Sequence, residues 1–304
     1  MAVIVTGANG FIGSSLCQEL SSKGFEVIAV VNQKDNNIKN IPNLQIIHCD
    51  LSNYNSLKEL IGNVNNVDIF YHFAWAGTSG NLRGDVDVQL INIKATCEAV
   101  DACREIGCKK FIYAASIMEY EISAYMQTNK KPSKNTIYST AKLSADYMAR
   151  AVANTYDIKY IRAVISNVYG PGEYSKRLIN TSIRKMLKGE KCSFSSGEQL
   201  YDFIYIDDAV KAFIELGLKG KNNKTYYIGN LKPRKLKEFL LEMRDNINPC
   251  LDIGLGEIAF DGVSLKYNEF NVDSLKNDTG FIPQTSFSTG INKTVEWIKE
   301  NEDA

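Results

Sequence analysis

The chain has 304 residues, enough for two domains or for one domain with an added lobe. Its 35 Lys and Arg residues balance 35 Asp and Glu residues. Nucleic-acid and membrane-surface binders normally carry a basic surplus, so this neutral balance argues against both kinds of partner. Seven cysteines without a CxxC pair argue against a disulfide framework and a zinc site, so no metal is expected. A cytoplasmic protein is predicted, because no signal-peptide pattern and no membrane-spanning apolar stretch is found.

Short β-branched runs alternate with amphipathic stretches through the first half, which predicts a parallel sheet covered by helices. Helices are expected at 11–23, 85–106 and 136–156, and strands at 2–6, 26–31, 44–49, 67–73, 109–115 and 159–165. After residue 170 the alternation loosens, with strands expected at 202–206 and 225–228 and helices at 178–187, 208–218, 236–246 and 289–301.

The predicted fold class is therefore α/β, a doubly wound Rossmann-type parallel sheet with a smaller C-terminal α/β substrate lobe. We expect residues 1–169 to form the dinucleotide-binding domain. Residues 170–304 are expected to form mainly the substrate lobe, with the chain free to cross back between the two.

Three glycines stand between the first predicted strand and the first predicted helix, where the sequence reads TGANGFIG. Glycines let the backbone approach a pyrophosphate, and the helix N-terminus offers N–H groups and the positive end of its dipole. At the first strand–helix junction this spacing predicts dinucleotide binding, although a tight turn alone could use such glycines. The cofactor-binding residues predicted here are Gly7, Asn9, Gly10, Phe11, Ile12 and Gly13.

The second predicted strand ends without the acid that usually binds the adenosine ribose of NAD. Asn32, Gln33 or Lys34 could bind a 2′-phosphate instead, so NADP is the expected cofactor. A loose site that takes NAD is the alternative. Asp50, followed by Leu51, ends the third strand and is expected to contact the adenine, unless it only opens a turn.

Tyr138 and Lys142 stand four residues apart and therefore on one face of a predicted helix. A phenol, with a pKa of about 10, is a poor acid–base at neutral pH, but a nearby ammonium favours its ionised form. Ser116 ends the fifth strand, at the sheet edge where α/β proteins bind ligands. The three form the predicted catalytic set, although an exposed Tyr–Lys pair would have the same spacing.

Segments spanning nearly the whole chain resemble, in family order, the extended short-chain dehydrogenase/reductases that act as sugar-nucleotide epimerases, dehydratases and reductases. These segments are 6–13, 50–51, 72–74, 92, 114–116, 138–142, 167–172 and 202–208. The resemblance implies Ser116, Tyr138 and Lys142 as the catalytic triad, with Lys142 also binding the nicotinamide ribose. It implies further cofactor-binding residues at Phe73, Ala74, Trp75, Asn92 and Val168.

Two departures from the family pattern narrow the expected chemistry. The 4,6-dehydratases of this group carry an Asp–Glu pair after the Ser or Thr position, whereas this chain has Ile117 and Met118, which transfer no protons. Dehydratase activity is therefore not expected. Tyr201 stands where many relatives have an Arg that contacts a nucleotide phosphate. Phosphate contacts are expected instead from Lys176, Arg177 or Arg234, unless these are plain surface charges.

The segment 75–84 follows the fourth strand, and its glycines, hydroxyls and single Arg suit a sugar-facing loop, although a mobile surface loop would look similar. The nucleotide-sugar substrate is expected to contact Trp75, Thr78, Arg83, Ser116, Ile117, Asn167, Arg177 and Tyr201.

Three functions remain open at this stage. The first is NADPH-dependent reduction of a nucleotide-linked 4-keto-6-deoxyhexose, since residues 196–204 resemble abequose-synthase-type reductases. The second is an NAD-dependent C4 epimerase, which uses the same triad. The third is a non-catalytic dinucleotide sensor, against which Tyr138 and Lys142 argue. A homodimer is also expected, because related enzymes pair the helices that correspond to 85–106 and 136–156. Both helices carry small apolar residues that permit close packing, at Ala95, Ala99, Ala141, Ala145 and Ala149, unless these faces pack only within the chain.

Overall fold

Strands and helices alternate through the first half of the computed structural model, which describes residues 1–32, 38, 41–62, 64, 67–260 and 262–301. The strands are β1 (Ala2–Thr6), β2 (Glu26–Val31), β3 (Leu44–His48), β4 (Val67–His72), β5 (Lys110–Ser116) and β6 (Lys159–Ile165). The helices are α1 (Phe11–Ser22), α2 (Leu57–Ile61), α3 (Val86–Ile106), α4 (Glu121–Gln127) and α5 (Thr136–Thr155).

The second half contains shorter strands. They are β7 (Asn167–Tyr169), β8 (Cys192–Phe194), β9 (Leu200–Tyr201), β10 (Phe203–Tyr205), β11 (Lys224–Ile228), β12 (Arg234–Lys235) and β13 (Ile253–Leu255). The helices are α6 (Leu178–Leu187), α7 (Ile206–Lys219), α8 (Leu236–Ile247), α9 (Asp273–Thr279) and α10 (Phe287–Asn301). Short 3-10 helices lie at Leu51–Ser56, Asn81–Gly84, Ile117–Tyr120 and Tyr267–Glu269.

A seven-stranded sheet in the order β11-β6-β5-β4-β1-β2-β3 forms the centre of the fold. The five pairings that join β3 through β1 and β4 to β6 are parallel. All five residues of β1 are buried, as expected for a β-branched strand covered on both faces. The chain order reverses between β1 and β4, which creates the crevice where doubly wound sheets bind ligands. The predicted fold class is confirmed.

The chain divides into two compact units. The first consists of Met1–Ile165, Val210–Tyr227 and Asp273–Phe281, so the chain returns to it twice. The second consists of Ser166–Ala209, Ile228–Val272 and Ile282–Ala304. Within the second unit, three two-stranded sheets pair β10 with β7, β12 with β9 and β13 with β8. The assignment of separate functions to 1–169 and 170–304 stays a prediction.

Two helices differ from the sequence-based prediction. The strand expected at 202–206 is shorter, because α7 already begins at Ile206, with Asp207 and Asp208 in its first turn. Carboxylates there interact favourably with the helix dipole. The helix α4 was missed, since seven residues are too few for a clear helical period. Among the residues described, no helix is both long and apolar enough to span a membrane.

Candidate active site

The turn after β1 is packed directly against the turn after β4. A Cβ atom on Gly7 would lie 2.7 Å from the backbone nitrogen of Ala74, and one on Gly13 would lie 2.2 Å from the carbonyl oxygen of Gly7. Gly10, the residue before α1, has an extended backbone and provides no side-chain cap for the helix. The first N–H groups of a helix have no intrahelical partner, so this uncapped start beside a close-packed glycine turn fits a dinucleotide pyrophosphate.

A buried polar chain joins the ends of β1 and β4. The Thr6 hydroxyl lies 2.9 Å from His72 Nδ1 and accepts the N–H of Ala74 at 3.3 Å. His72 Nε2 lies 3.2 Å from the hydroxyl of Thr96 on α3. Burial, with a further contribution from Lys142, lowers the pKa of His72 to about 3, so the imidazole is neutral. Its place in the structure is that of a strand-end hydrogen-bonding residue.

Four of the predicted site residues converge at the N-terminal half of α5. Lys142 Nζ donates to the carbonyl of Ala114 at 2.9 Å and lies 3.8 Å from the centre of the Trp75 ring. The Trp75 and Tyr138 rings meet edge to face at 6.1 Å. The Arg83 guanidinium lies over the Tyr138 ring, with its central carbon 4.1 Å from the ring centre. A tyrosine, an ammonium and a guanidinium are thereby brought together beside the sheet edge.

Lys142 is buried, with 5% of its surface exposed. Burial lowers its pKa to about 7, and the carboxylates of Glu119 and Asp146 act in the opposite direction. A lysine in this range gains or loses its proton near neutral pH when its surroundings change. Next to Tyr138, it is suited to support a phenol that exchanges a proton.

Ser116 is held at the end of β5 by two hydrogen bonds. Its hydroxyl oxygen accepts the N–H of Met118 at 3.2 Å, and its backbone N–H donates to Glu119 Oε1 at 2.8 Å. Because the oxygen accepts from Met118, its own proton can serve a substrate oxygen. Ile117 is buried, and neither it nor Met118 provides a proton donor or acceptor.

The loop after β4 is fixed by two buried amides on α3. Asn92 spans the backbone of Ala76, accepting its N–H at 2.9 Å and donating to its carbonyl at 2.8 Å. Gln89 accepts the indole N–H of Trp75 at 3.0 Å and donates to the carbonyl of Leu82 at 3.1 Å. Asn92, predicted to bind cofactor, thus holds the loop backbone. Gln89 was missed, although two amides three residues apart on one helix face are a usable signal.

The remaining predicted cofactor residues of the first unit lie at strand ends. Asn32 is exposed after β2, whereas Gln33 and Lys34 lie outside the described residues. Asp50 caps the 3-10 helix that Leu51 begins, accepting the N–H of Ser52 at 3.0 Å and its hydroxyl at 2.7 Å. This cap is the turn-opening role that the sequence left as the alternative to adenine contact.

In the second unit, Asn167 donates its side-chain amide to the carbonyl of Asp202 at 3.2 Å, and the Tyr201 ring stacks on Phe203. Val168 is buried within β7. Two of the three candidate phosphate ligands are ion-paired, Arg177 with Glu173 at 3.3 Å and Arg234 with Glu242 at 2.7 Å. The third, Lys176, lines a cleft of about 330 Å³ with three further cations, Arg184, Lys185 and Lys188, and with one carboxylate, Glu190. This basic cleft was not foreseen from the sequence.

No cluster of three or more His, Cys, Asp or Glu side chains placed to hold a metal ion occurs in the described ranges.

Comparison with known proteins identifies the family of the chain. The chain belongs to the NAD dependent epimerase/dehydratase family, whose profile matches residues 3–229. It is an enzyme of the extended short-chain dehydrogenase/reductase type, as the sequence resemblance indicated. The dTDP-glucose 4,6-dehydratase of Escherichia coli is 25% identical, and the alignment covers 100% of this chain and 95% of that protein.

Solved structures share the fold over the whole chain. UDP-N-acetylglucosamine 4-epimerase from Methanobrevibacter ruminantium M1, in complex with UDP-N-acetylmuramic acid, has a TM-score of 0.83 at 23% identity, covering 98% of each chain. The dTDP-glucose 4,6-dehydratase from Bacillus anthracis str. Ames, in complex with NAD, has a TM-score of 0.82 at 23% identity, covering 99% of this chain and 97% of that one.

Replacing Gln89 by Leu tests whether α3 fixes the loop. The substitution leaves the half-buried indole N–H of Trp75 without its acceptor, which costs about 1 kcal/mol. We expect faster amide hydrogen exchange at 75–84, measured by mass spectrometry. Gln127→Leu, the same change at an exposed position of α4, is the control and should leave that loop unchanged. Equal exchange in both variants would refute the bracing role.

Proposed function

We propose that this enzyme oxidises and then re-reduces C4 of a nucleotide-linked sugar, and so acts as an NAD-dependent 4-epimerase. The observation that carries the proposal is the buried group of Tyr138 and Lys142, with Ser116 at the end of β5 and only apolar side chains directly after it. Relatives named as acting on dTDP- and UDP-linked sugars support the substrate class.

Each member of the triad has a defined task in this proposal. Tyr138 removes the proton of the C4 hydroxyl. It returns the proton after the 4-keto sugar has rotated in the site and presents its other face for reduction. The Lys142 ammonium stabilises the ionised phenol and binds the nicotinamide ribose. The Ser116 hydroxyl donates a hydrogen bond to the same substrate oxygen. A nicotinamide held beside Lys142 would supply the acceptor for the C4 hydride and would return that hydride to C4.

The side chains next to the triad favour epimerisation over dehydration. Expelling water from a hexose requires an acid and a base beside the reacting carbons. Ile117 and Met118 supply neither, and the next residue, Glu119, is bound to Arg162 and to the backbone of Ser116. In this proposal the related dehydratases have the same fold and the same oxidation step as this chain. Their reaction ends in the loss of water, whereas the reaction proposed here ends in epimerisation at C4.

Reduction of a 4-keto-6-deoxyhexose nucleotide by NADPH, the first expectation from the sequence, is the second candidate. The relatives are named as dehydratases and epimerases and support only the broader class. What favours the reductase is the end of β2, where no acidic residue is present to repel a 2′-phosphate.

We assign dinucleotide binding to residues 1–169 and substrate binding mainly to 170–304. The basic cleft of Lys176, Arg184, Lys185 and Lys188 is the proposed anion-binding surface of the second part, because phosphates are recognised by clustered cations. Arg177 and Arg234, each paired with a glutamate, are less suited to that task.

One experiment separates the candidate functions. The purified protein is incubated with a panel of nucleotide hexoses and their 4-keto-6-deoxy derivatives, with and without NADPH, and products are followed by NMR. We expect retained NAD and interconversion of 4-epimers without added cofactor. Stoichiometric NADPH oxidation with a 4-keto sugar would establish the reductase. Formation of a 4-keto-6-deoxy product from a hexose would establish a dehydratase and contradict the proposal.

Tyr138→Phe tests the acid–base assignment. Phenylalanine keeps the ring against Trp75 and Arg83 but carries no exchangeable proton. Turnover should fall by about 100- to 10,000-fold while cofactor affinity stays close to that of the wild type. Lys142→Ala should reduce both turnover and cofactor affinity. Wild-type turnover in Tyr138→Phe would remove this tyrosine from the mechanism.

The homodimer expected from the sequence is a further proposal, with a different contact surface. The small residues Ala95, Ala99, Ala141, Ala145 and Ala149 are buried within the chain, where α3 packs on α5. The exposed apolar residues of the two helices are instead larger. They are Val86, Leu90, Ile91, Tyr147 and Met148.

We expect this exposed face to pair with its copy, because large contiguous apolar surface is unusual on a monomer. Leu90→Arg combined with Met148→Glu should convert the dimer to a monomer, as measured by sedimentation velocity at micromolar concentration. Exchanging the exposed Met126 of α4 for Glu is the control. A wild-type monomer under these conditions would refute the proposal.

A further inference from the structure

A buried arginine connects the two elements that carry the triad. Arg162 lies on β6, with 8% of its side chain exposed, and its guanidinium forms ion pairs with two carboxylates. One terminal nitrogen donates to Glu119 Oε2, whereas Nε lies 3.1 Å from Asp146 Oδ2 in an ion pair that lacks hydrogen-bond geometry. The second terminal nitrogen donates to the hydroxyl of Tyr120 at 3.3 Å.

The first carboxylate reaches the backbone of Ser116. Glu119 Oε1 accepts the Ser116 N–H at 2.8 Å, and the two residues form a capping box that begins the 3-10 helix Ile117–Tyr120. Because Glu119 uses its other oxygen for Arg162, the end of β5 is joined through one side chain to β6.

The second carboxylate lies on the helix of Tyr138 and Lys142. Asp146 is one turn beyond Lys142 on α5 and is 1% exposed. It also accepts the hydroxyl of Tyr160 at 3.1 Å and binds Arg150 at 2.9 Å. Asp146 is thereby held from β6 and from its own helix, and it fixes α5 against the sheet.

We infer that Arg162 is a positioning residue, whose bridge between Glu119 and Asp146 sets the placement of Ser116 relative to Tyr138 and Lys142. The inference rests on the proposed function of that triad. A planar guanidinium offers several donors in a fixed fork, so it can bind two carboxylates on different elements at once, which an ammonium cannot do with the same geometry. A misplacement of catalytic groups by about 1 Å can lower turnover by about 100-fold.

Arg162→Lys and Glu119→Gln separate geometry from charge. Arg162→Lys keeps a cation but loses the fork, and Glu119→Gln keeps an acceptor for the Ser116 N–H but loses the negative charge. We expect Arg162→Lys to lower kcat by about 10- to 100-fold and Glu119→Gln to lower it less, with KM and NAD affinity unchanged in both. Amide exchange should rise at 110–120 and at 136–146 in Arg162→Lys.

Asp278→Asn is the matched control. Asp278 also binds two cations and a tyrosine within the same unit, through Lys221, Lys224 and Tyr226. Its loss should change neither kcat nor the exchange of the two segments. A common fall in kcat in all three variants would show a general effect of lost ion pairs and overturn the inference.

The remaining outcomes are also decisive. Wild-type kcat in Arg162→Lys, or a larger loss in Glu119→Gln than in Arg162→Lys, would overturn the positioning role. If Arg162→Lys does not fold, wild-type kcat in Glu119→Gln overturns it and a reduced kcat at constant KM supports it. If the wild type converts no nucleotide sugar, the proposed function fails. The exchange measurement then decides the bridge, because unchanged exchange at both segments overturns it.

Discussion

The turns after β1 and β4 lie so close together that no Cβ atom fits between them, and the rest of the site depends on this contact. Gly7 lies in the left-handed region, with φ of 66°, and its neighbour across the crevice is the backbone of Ala74. This contact puts the start of α1 beside the loop that carries Trp75. The helix start proposed to bind a pyrophosphate and the Trp75 loop proposed to contact a nicotinamide are thus neighbours. Any side chain at Gly7 would separate them.

The second feature of the site is a set of charged side chains that are buried together. Lys142, Glu119, Asp146 and Arg162 are all largely removed from water. Burial acts against the charge of Arg162, but Glu119 and Asp146 raise its pKa, so it stays ionised. Removing one partner of such a group would leave an uncompensated buried charge, at a cost of about 3–5 kcal/mol. A hydrophobic core could provide equal stability, so stability alone does not account for these buried charges.

The fold was predictable because its signals are local. The strand β1 and the helix α1 have the predicted starts, since β-branched runs and a glycine turn mark them in any context. The Tyr138–Lys142 pair was visible as a spacing, and the catalytic triad implied by the family resemblance stays a prediction. What the sequence could not show is long-range pairing. Glu119 and Arg162 are 43 positions apart, and only the register of β5 with β6 makes them neighbours.

The same distinction explains the cofactor and substrate assignments. A strand-end residue such as Asn32 can be recognised in the sequence, but its meaning depends on neighbours that it meets in space. Asp50 has the position of an adenine-contacting acid and caps a 3-10 helix with that carboxylate. The alanines of α3 and α5 suited a dimer seam and pack within the chain. Residue type therefore predicts which chemistry is possible. The neighbours that a side chain contacts in the folded structure decide which of these possible roles it has.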